Sequence, residues 1–447
     1  MRMTIRRLLD RLFTGAGFLS IAVMAGFLLL VLVPIFQRGV GAYVFMGTVE
    51  HRRFIIEHFG RGDAEGMTRD LADTAAARLP VYRMLGAFEQ EFAGLPEARQ
   101  RALKPEWRLV RKEIDELLGP PPGKPLPETI QRCYGQTRWD RAQVKLDGIL
   151  FRESWDYTAG GMGHKVLTPR EQIFSGTSLM PLFPCLREHA RDMLAPRLTF
   201  YGRFLTDPSA GNHALGGIGP EVLGTIYLTV GAMLLAIPFG IVAAIYFQEY
   251  AREGRLLALL RSCVSTLAGV PSIVFGLFGL AFFINTLHVS HGKSVLAGAL
   301  TLALLVLPTI IRASEEALRS VPATFKEAAL ALGAGRWHTV TSVLLPAALP
   351  GILTGVVISM GRAAGETAPI IFTAAVSFGA APRLAQVLDH DTPALPWNIY
   401  NLCTEHAAVD EIRHVQYGMV ATLVMIVLIL NLAAVMLRAR VARRLKG

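Results

Sequence analysis

Charge is scarce in this chain. Only 18% of its 447 residues are Asp, Glu, Lys or Arg, against 52% hydrophobic residues, and mean hydropathy is +0.40. That balance excludes a disordered chain, which would be poor in apolar residues and rich in charge, and it is too apolar for an ordinary soluble protein of this size. Cysteine is scarcer still, and four residues cannot staple a disulfide scaffold of this length. A collagen-like Gly-X-Y period is missing. So is any basic, aromatic-laced face of the kind that grips RNA or DNA. The net charge of +10, from 45 Lys and Arg against 35 Asp and Glu, instead marks the cytoplasmic ends of membrane spans.

What the chain does have is apolar sequence in blocks. Six runs stand near residues 15–36, 222–247, 262–285, 295–311, 347–376 and 416–437, each about the length that crosses a bilayer as a helix. The start carries Arg2, Arg6, Arg7 and Arg11 against Asp10, and the tail carries Arg438, Arg440, Arg443, Arg444 and Lys446. Both ends read as cytoplasmic, which demands an even number of spans. The connection 377–415 agrees, with Arg383 and Arg413 against Asp389, Asp391, Glu405, Asp410 and Glu411. Residues 248–261 and 312–346 are then cytoplasmic. A signal peptide is the alternative for the first run, but its length of about 20 residues and the lack of a clear small-x-small cleavage site favour a retained anchor.

Residues 37–215 form a polar segment that this topology places outside the membrane. Helical periodicity runs from Met67 to Leu79 and from Arg99 to Leu118. Gly119-Pro120-Pro121-Pro122-Gly123-Lys124-Pro125 cannot continue a helix and reads as a stiff linker. Val144 to Phe151, between Trp139 and Trp155, looks strand-like. No internal repeat and no catalytic constellation stands out in this segment. Cys263 lies in a span and reads as core, whereas Cys133, Cys185 and Cys403 fall on the side where a bacterial envelope would be oxidising. A bridge from Cys133 to Cys185 would close a loop of about 50 residues, worth roughly 2 to 4 kcal/mol if unstrained.

Two clusters carry chemistry. In the second cytoplasmic loop, Glu327-Ala328-Ala329 is followed after three residues by Gly333 and after nine more by Val343-Leu344-Leu345-Pro346. Ala328, Ala329 and Ala331 make a strong helix with a thin face that another protein can approach closely, and Gly333 can turn the chain after it. Such a helix suits the transmission of a push, although an amphipathic connector between two spans would also account for it. The second cluster is Gly361-Arg362-Ala363-Ala364-Gly365-Glu366-Thr367-Ala368-Pro369, inside the fifth apolar run. Burying Arg362 among lipid costs from about 2.5 to more than 10 kcal/mol, whereas an i,i+4 pair with Glu366 returns at most about 0.5 kcal/mol. The pair therefore faces a protein interior or a watery path, where a guanidinium is a natural ligand for a tetrahedral oxyanion. A structural interhelical salt bridge is the competing reading. Pro369 and the two glycines predict a kinked or opened helix beside it.

These residues resemble the PstA-type permease subunit of the bacterial phosphate ABC importer. The Glu327 to Pro346 spacing matches the EAA loop of ABC importer permeases, with Val343 in place of isoleucine. Gly216-Gly217-Ile218-Gly219 with Gly224-Thr225, Ala268-Gly269-Val270-Pro271-Ser272-Ile273-Val274, and Leu307-Pro308-Thr309-Ile310-Ile311-Arg312 add to the likeness, as does Gly365-Glu366-Thr367-Ala368-Pro369. In the sister PstC-type subunit, Gly-Glu-Thr is usually followed by Met-Ala rather than Ala-Pro. The resemblance covers residues 200–447 and the first anchor; the stretch from about 40 to 200 departs from it, since the family commonly has a short loop there.

The resemblance implies an all-α polytopic membrane protein in an ABC importer permease fold. It would comprise a cytoplasmic N-terminus and anchor (1–36), a mixed α/β or mostly α extracytoplasmic insert (37–215), and a five-helix permease domain (216–447) with its EAA loop at about 312–346. It implies an inner-membrane heterodimer with a PstC-type permease, two ATPase subunits docked under the EAA loops at Glu327, Ala328, Ala329 and Gly333, and an external phosphate-binding protein. Arg362, Glu366 and Thr367 would line the substrate path. ATP and Mg would be bound by the partner ATPase, with no cofactor on this chain. Gly292-Lys293-Ser294 is no phosphate loop, because Leu287 stands where the leading Gly is required. His288 with His291, and His51 with His58, lack a third ligand and read as surface. Two other readings compete: a permease for molybdate, sulfate or another oxyanion, and a membrane sensor using the external segment. The four further spans and the missing cytoplasmic signalling domain count against the sensor.

Overall fold

A computed structural model describes residues 2–129, 135–156, 164–406 and 409–446. The chain divides into two compact units, one of Tyr43–Gly202 with Ala210–Leu215, the other of Met1–Ala42, Arg203–Ser209 and Gly216–Gly447.

The first helix, α1 (Arg2–Val40), has an apolar stretch from Arg11 to Val40 whose most hydrophobic window is wholly unburied by the chain itself. At about 1.5 Å per residue those 30 residues reach roughly 45 Å, ample for a bilayer core.

The insert unit follows. It contains β1 (Val44–Gly47), α2 (Val49–Phe59), α3 (Ala64–Gly94), α4 (Glu97–Leu118), α5 (Trp139–Leu150), β2 (Phe151–Asp156), β3 (His164–Pro169), the single turn α6 (Arg170–Ile173), α7 (Leu182–Leu194) and β4 (Arg197–Phe200). It is mostly helical. On α4 the buried residues Leu103, Trp107, Val110, Ile114 and Leu117 recur at three- and four-residue steps, one stripe of a helix. They pack on Val81, Leu85 and Phe88 of α3 and on Leu182, Phe183 and Leu186 of α7. Phe88 sits edge-on to Trp107 at 4.8 Å and to Phe174 at 5.7 Å. The helix α4 stops at Gly119, whose φ of 80° suits glycine, and the Pro-rich residues after it are non-helical, as their composition predicts. Arg78 donates to the Leu118 carbonyl at 2.9 Å, satisfying one orphan acceptor of that helix end.

The strand expected from Val144 to Phe151 is instead helical up to Leu150, and only from Phe151 does the chain extend. In a strand, Val144 and Leu150 would share a face. Here Val144 is 72% exposed while Ala142, Ile149 and Leu150 are buried and Leu146 packs beside them, the spacing of a helix. Lys145 then reaches Glu116 at 2.6 Å and Glu113 at 3.2 Å on α4. Within Tyr43–Gly202 the described strands form two antiparallel ribbons. In one, β2 pairs with β3; in the other, Val44 of β1 faces Phe200 of β4 and Met46 faces Leu198. Just outside the latter, the Tyr201 amide donates to the Tyr43 carbonyl at 2.7 Å.

Beneath the helices lies a buried ionic network. Glu50 is fully buried and accepts from Arg53 at 3.2 Å, with Arg78 at 3.5 Å. Burial pushes the Glu50 carboxyl above the usual carboxylate range, and the two guanidiniums pull against that shift. Next to it, His51, expected at the surface, is instead buried and sits edge-on to Phe45 and Tyr201. Its pKa is depressed to about 4, first by burial and then by the charges of Arg138 and Arg52.

The membrane unit contains α8 (Gly219–Ile245), α9 (Arg255–Leu267), α10 (Ser272–Gly279), α11 (Val295–Arg319), α12 (Ala323–Ala331), α13 (Arg336–Thr339), α14 (Leu345–Gly365), α15 (Ala368–Thr373), α16 (Leu395–Thr404) and α17 (Arg413–Lys446). A π-helical turn at Val340–Leu344 joins α13 to α14. Among the described residues, five helical stretches are long and apolar enough to span a membrane: Arg11–Val40, Gly219–Tyr250, Val295–Arg319, Arg336–Gly365 and Arg413–Val441. The third apolar run of the sequence is a sixth candidate of another kind, two helices bent by 100° between Leu267 and Ser272. Pro271, which has no N–H to donate, caps the second of them. Cys263, expected in the core, is exposed on α9.

The centre of this unit is α11, buried against α8 and α14. Small residues let the backbones close in. A Cβ on Gly355 or Gly351 of α14 would strike Ala313 or Ala317 of α11, and one on Gly240 of α8 would strike Ile310.

Candidate functional site

The fifth apolar run breaks where its sequence predicts. After Gly365, Glu366 takes an extended conformation, and the helix restarts at Ala368 with Pro369 in its first turn, where a missing N–H does no harm. The break is held from within. Ala363, Ala364, Pro369 and Ile370 are buried, and Gly276 of α10 lies so close to Pro369 and the Ala368 carbonyl that a Cβ there would come within 3.0 Å of both. With the inner side fixed by these contacts, Arg362 is left on the open side in the last turn of α14.

Arg362 Nε donates to Glu366 Oε1 at 3.1 Å, with side chains 41% and 18% exposed. The helix that carries Arg362 begins at Arg336 rather than near 347, so the arginine stands near the far end of a 30-residue rod. One guanidinium edge is engaged by Glu366, and the partial exposure leaves the group reachable. Thr367 is half-buried beside it as the N-cap of α15, with no side-chain capping hydrogen bond.

The second predicted cluster is α12. Its nine residues include none that is buried. Glu327 and Ala328 are exposed and Ala329 is half-buried. The helix ends as its glycine predicts: Gly333 has φ 85°, its amide donates to the Leu330 carbonyl at 3.0 Å, and the Ala334 amide donates to the Ala329 carbonyl at 3.1 Å, the paired closure of a left-handed helix cap. Lys326 ties α12 to Glu249 after α8 at 2.6 Å. The apolar residues around it face outward, with Leu332 90%, Trp337 67% and Phe325 50% exposed.

Cys133 lies outside the described residues, so its pairing with Cys185 stays an expectation; Cys185 is half-buried on α7, and burial followed by the charge of Glu188 pushes its thiol up. Arg362 and α12 are separate features of the same membrane unit. Among the described residues, no three His, Cys, Asp or Glu side chains come together as metal ligands.

Two polar sites escaped the sequence reading. One is a recess of about 590 Å³ lined by Arg261, Ser262, Ser265, Arg312, Glu315 and Arg319 on α9 and α11. Arg261 pairs with Glu315 at 2.6 Å, and Arg312 donates to Ser265. Arg261 and Ser265 share a face of α9 at i,i+4, a signal masked by the surrounding apolar run. The other is Glu221, 1% exposed in the first turn of α8, which accepts from Asn398 of α16 at 3.2 Å. Thr225, one turn on, accepts from the Leu395 amide at 2.9 Å. Glu221 is the sole acid between Asp207 and Glu249.

Comparison with known proteins bears on the same half of the chain. The family model described as "Binding-protein-dependent transport system inner membrane component" matches residues 236–447. A "Probable ABC transporter permease protein YqgI" of Bacillus subtilis (strain 168) is 36% identical over 255 residues, 54% of this chain and 85% of that protein. A "Phosphate transport system permease protein PstA 1" of Mycobacterium tuberculosis (strain CDC 1551 / Oshkosh) is 38% identical over 231 residues, 51% of this chain and 73% of that protein. Among solved structures, an inward-facing MetNI methionine ABC transporter aligns with 49% of this chain and 94% of its own at 20% identity, with a TM-score of 0.40.

Proposed function

The chain belongs to the binding-protein-dependent ABC transporter permeases of the inner membrane, and from that premise we propose that it is the PstA-type subunit of an importer that moves inorganic phosphate. The observation that carries the reading is the Arg362–Glu366 pair at the break between α14 and α15. An anion leaving water for a low-dielectric path loses its hydration, and a guanidinium returns part of it through paired, charge-assisted hydrogen bonds. Glu366 holds Arg362 in position when the path is empty and competes for it when the anion is present, which keeps binding weak enough for release. The Nε edge engaged at 3.1 Å is the one the carboxylate occupies.

Transport requires partners. A PstC-type permease completes the path, an external phosphate-binding protein delivers the anion, and two ATPase subunits hydrolyse ATP beneath α12. The unburied Ala-rich face of α12 and the outward Leu332 and Trp337 suit insertion into an ATPase cleft. With both termini cytoplasmic, this helix faces the ATPases. The relatives named for phosphate transport support the choice of cargo.

Uptake of labelled phosphate, sulfate and molybdate in cells depleted of this chain tests the assignment. Selective loss of phosphate uptake is expected. Loss of sulfate or molybdate uptake alone would reassign the cargo, and failure of any ATPase to copurify would remove the transport reading.

A further inference from the structure

The ribbon of β1 and β4 has two unlike faces. Cross-strand pairing puts Val44 with Phe200 and Met46 with Leu198 on one side. On the other side stands Phe45, which is buried, with the Arg138 guanidinium 4.0 Å from its ring centre. The Phe45 side is thereby fastened to the insert, and the opposite side is largely open: Val44 is 41% exposed, Leu198 75% and Phe200 78%, with Met46 half-buried between them. Four adjoining apolar side chains on a two-stranded ribbon are an unlikely face to leave in water, because a two-stranded ribbon has little stability of its own to offset that exposure.

The covalent chain says what lies within reach. Val44 comes four residues after Val40, the last residue of α1, a tether of at most about 14 Å. Phe200 comes two residues before the turn Gly202–Leu205. In the membrane unit, Phe204 of that turn and Ala42 both lie against Gly418 near the start of α17, where a Cβ would come within 3.0 and 2.7 Å of them. The outer ends of two apolar spans thus hold both strands on short leashes. The same level is marked by Arg38 and Tyr417, whose side chains hydrogen-bond at 2.5 Å, an arginine and a tyrosine of the kind that settle among lipid headgroups. The spanning window of α1 is bare, and along the chain only Gly41, Ala42 and Tyr43 separate α1 from β1.

We propose that the Val44, Met46, Leu198 and Phe200 face of this ribbon is a lipid-binding surface, seated in the boundary between headgroups and acyl chains of the leaflet at the C-terminal end of α1. The insert is then a membrane-resting domain, its ribbon dipping into the leaflet as an amphipathic element does. The inference does not depend on which anion is carried or on which side of the membrane the insert lies.

The test uses the full chain in vesicles of phosphatidylcholine and phosphatidylglycerol, with Cys133, Cys185, Cys263 and Cys403 changed to serine. Spin labels are placed singly through Leu198→Cys, Phe200→Cys and, as a reference on exposed α5, Val144→Cys. Labels at 198 and 200 should collide with dissolved oxygen several-fold more readily than with a water-soluble nickel chelate, and the label at 144 should show the reverse. Nickel access at 198 and 200 equal to that at 144 would overturn the proposal. So would labels shielded from both reagents, which would mean that a protein partner covers the face. If the cysteine-free chain does not insert, Phe200→Trp in the parent protein gives the same decision: extra fluorescence quenched by brominated lipid supports the proposal, and extra fluorescence quenched only by iodide overturns it.

Discussion

Arg362 and Glu366 are one helical turn apart, but the backbone between them is no longer helical at Glu366, so their positions are not equivalent. Arg362→Gln removes the charge and keeps a polar side chain; uptake should fall to background while the protein still copurifies with its ATPase. Glu366→Gln should impair release rather than binding. The exchange Arg362→Glu with Glu366→Arg tests position against attraction: a path residue cannot be moved by a turn, so uptake should stay lost, whereas recovery would mark the pair as a structural bridge. In the insert, His51 is the acid-sensitive residue. Its folded pKa of about 4 lies below its ordinary 6.5, so the unfolded chain takes up the proton first as pH falls. The stability held at neutral pH is therefore lost progressively from about pH 6.5 towards 4, by an amount on the order of 3 kcal/mol. His51→Phe, set between Phe45 and Tyr201, should flatten that dependence in thermal melts at pH 7 and pH 4.5; an unchanged slope would assign the acid sensitivity elsewhere.

At the scale of elements, α12 rests on its terminating glycine. The left-handed φ of Gly333 strains any L-residue even though the space around it is open. Gly333→Pro also removes the amide that closes the cap at Leu330. ATP hydrolysis in the assembled complex should persist while phosphate uptake falls at least several-fold; uptake equal to the parent at equal protein level would remove the coupling role. Much of this was legible in the sequence, because caps and breaks depend on single residues: Gly333 turns, Gly365 and Pro369 interrupt, and Gly119 with its prolines stops α4. Periodicity also read through on α4, whose buried stripe is intact in the order of its residues. The segment Val144 to Phe151 suits a strand locally, with its Val, Leu, Ile and Phe, whereas the burial of Ala142, Ile149 and Leu150 and the pairing of Lys145 with Glu113 and Glu116 belong to a helix packed on α4. Pairings such as Glu221 with Asn398, 177 positions apart, leave no local trace at all. The Arg261 recess needs α9 and α11 together, and the one local sign of it, Arg261 and Ser265 a turn apart on α9, is masked by the apolar run around them.

At the scale of the whole molecule, the chain joins a family permease to a helical unit that lies outside residues 236–447, the part that the family model matches. The chain enters that unit at Tyr43 and first leaves it after Gly202, returning only for Ala210–Leu215, and β1 and β4 run side by side, with the Tyr201 amide 2.7 Å from the Tyr43 carbonyl. Departure and return are thus neighbours, and the intervening sequence is, in genetic terms, a cassette that can be added or removed without lengthening the path between its flanks. Replacing residues 44–200 with a pair of glycines should yield a permease that still inserts and still copurifies with its ATPase. Degradation of the shortened protein in the membrane would instead mean that the spans depend on this unit for their stability. A segment with its own core whose two ends lie side by side is the kind of insertion that a host chain tolerates.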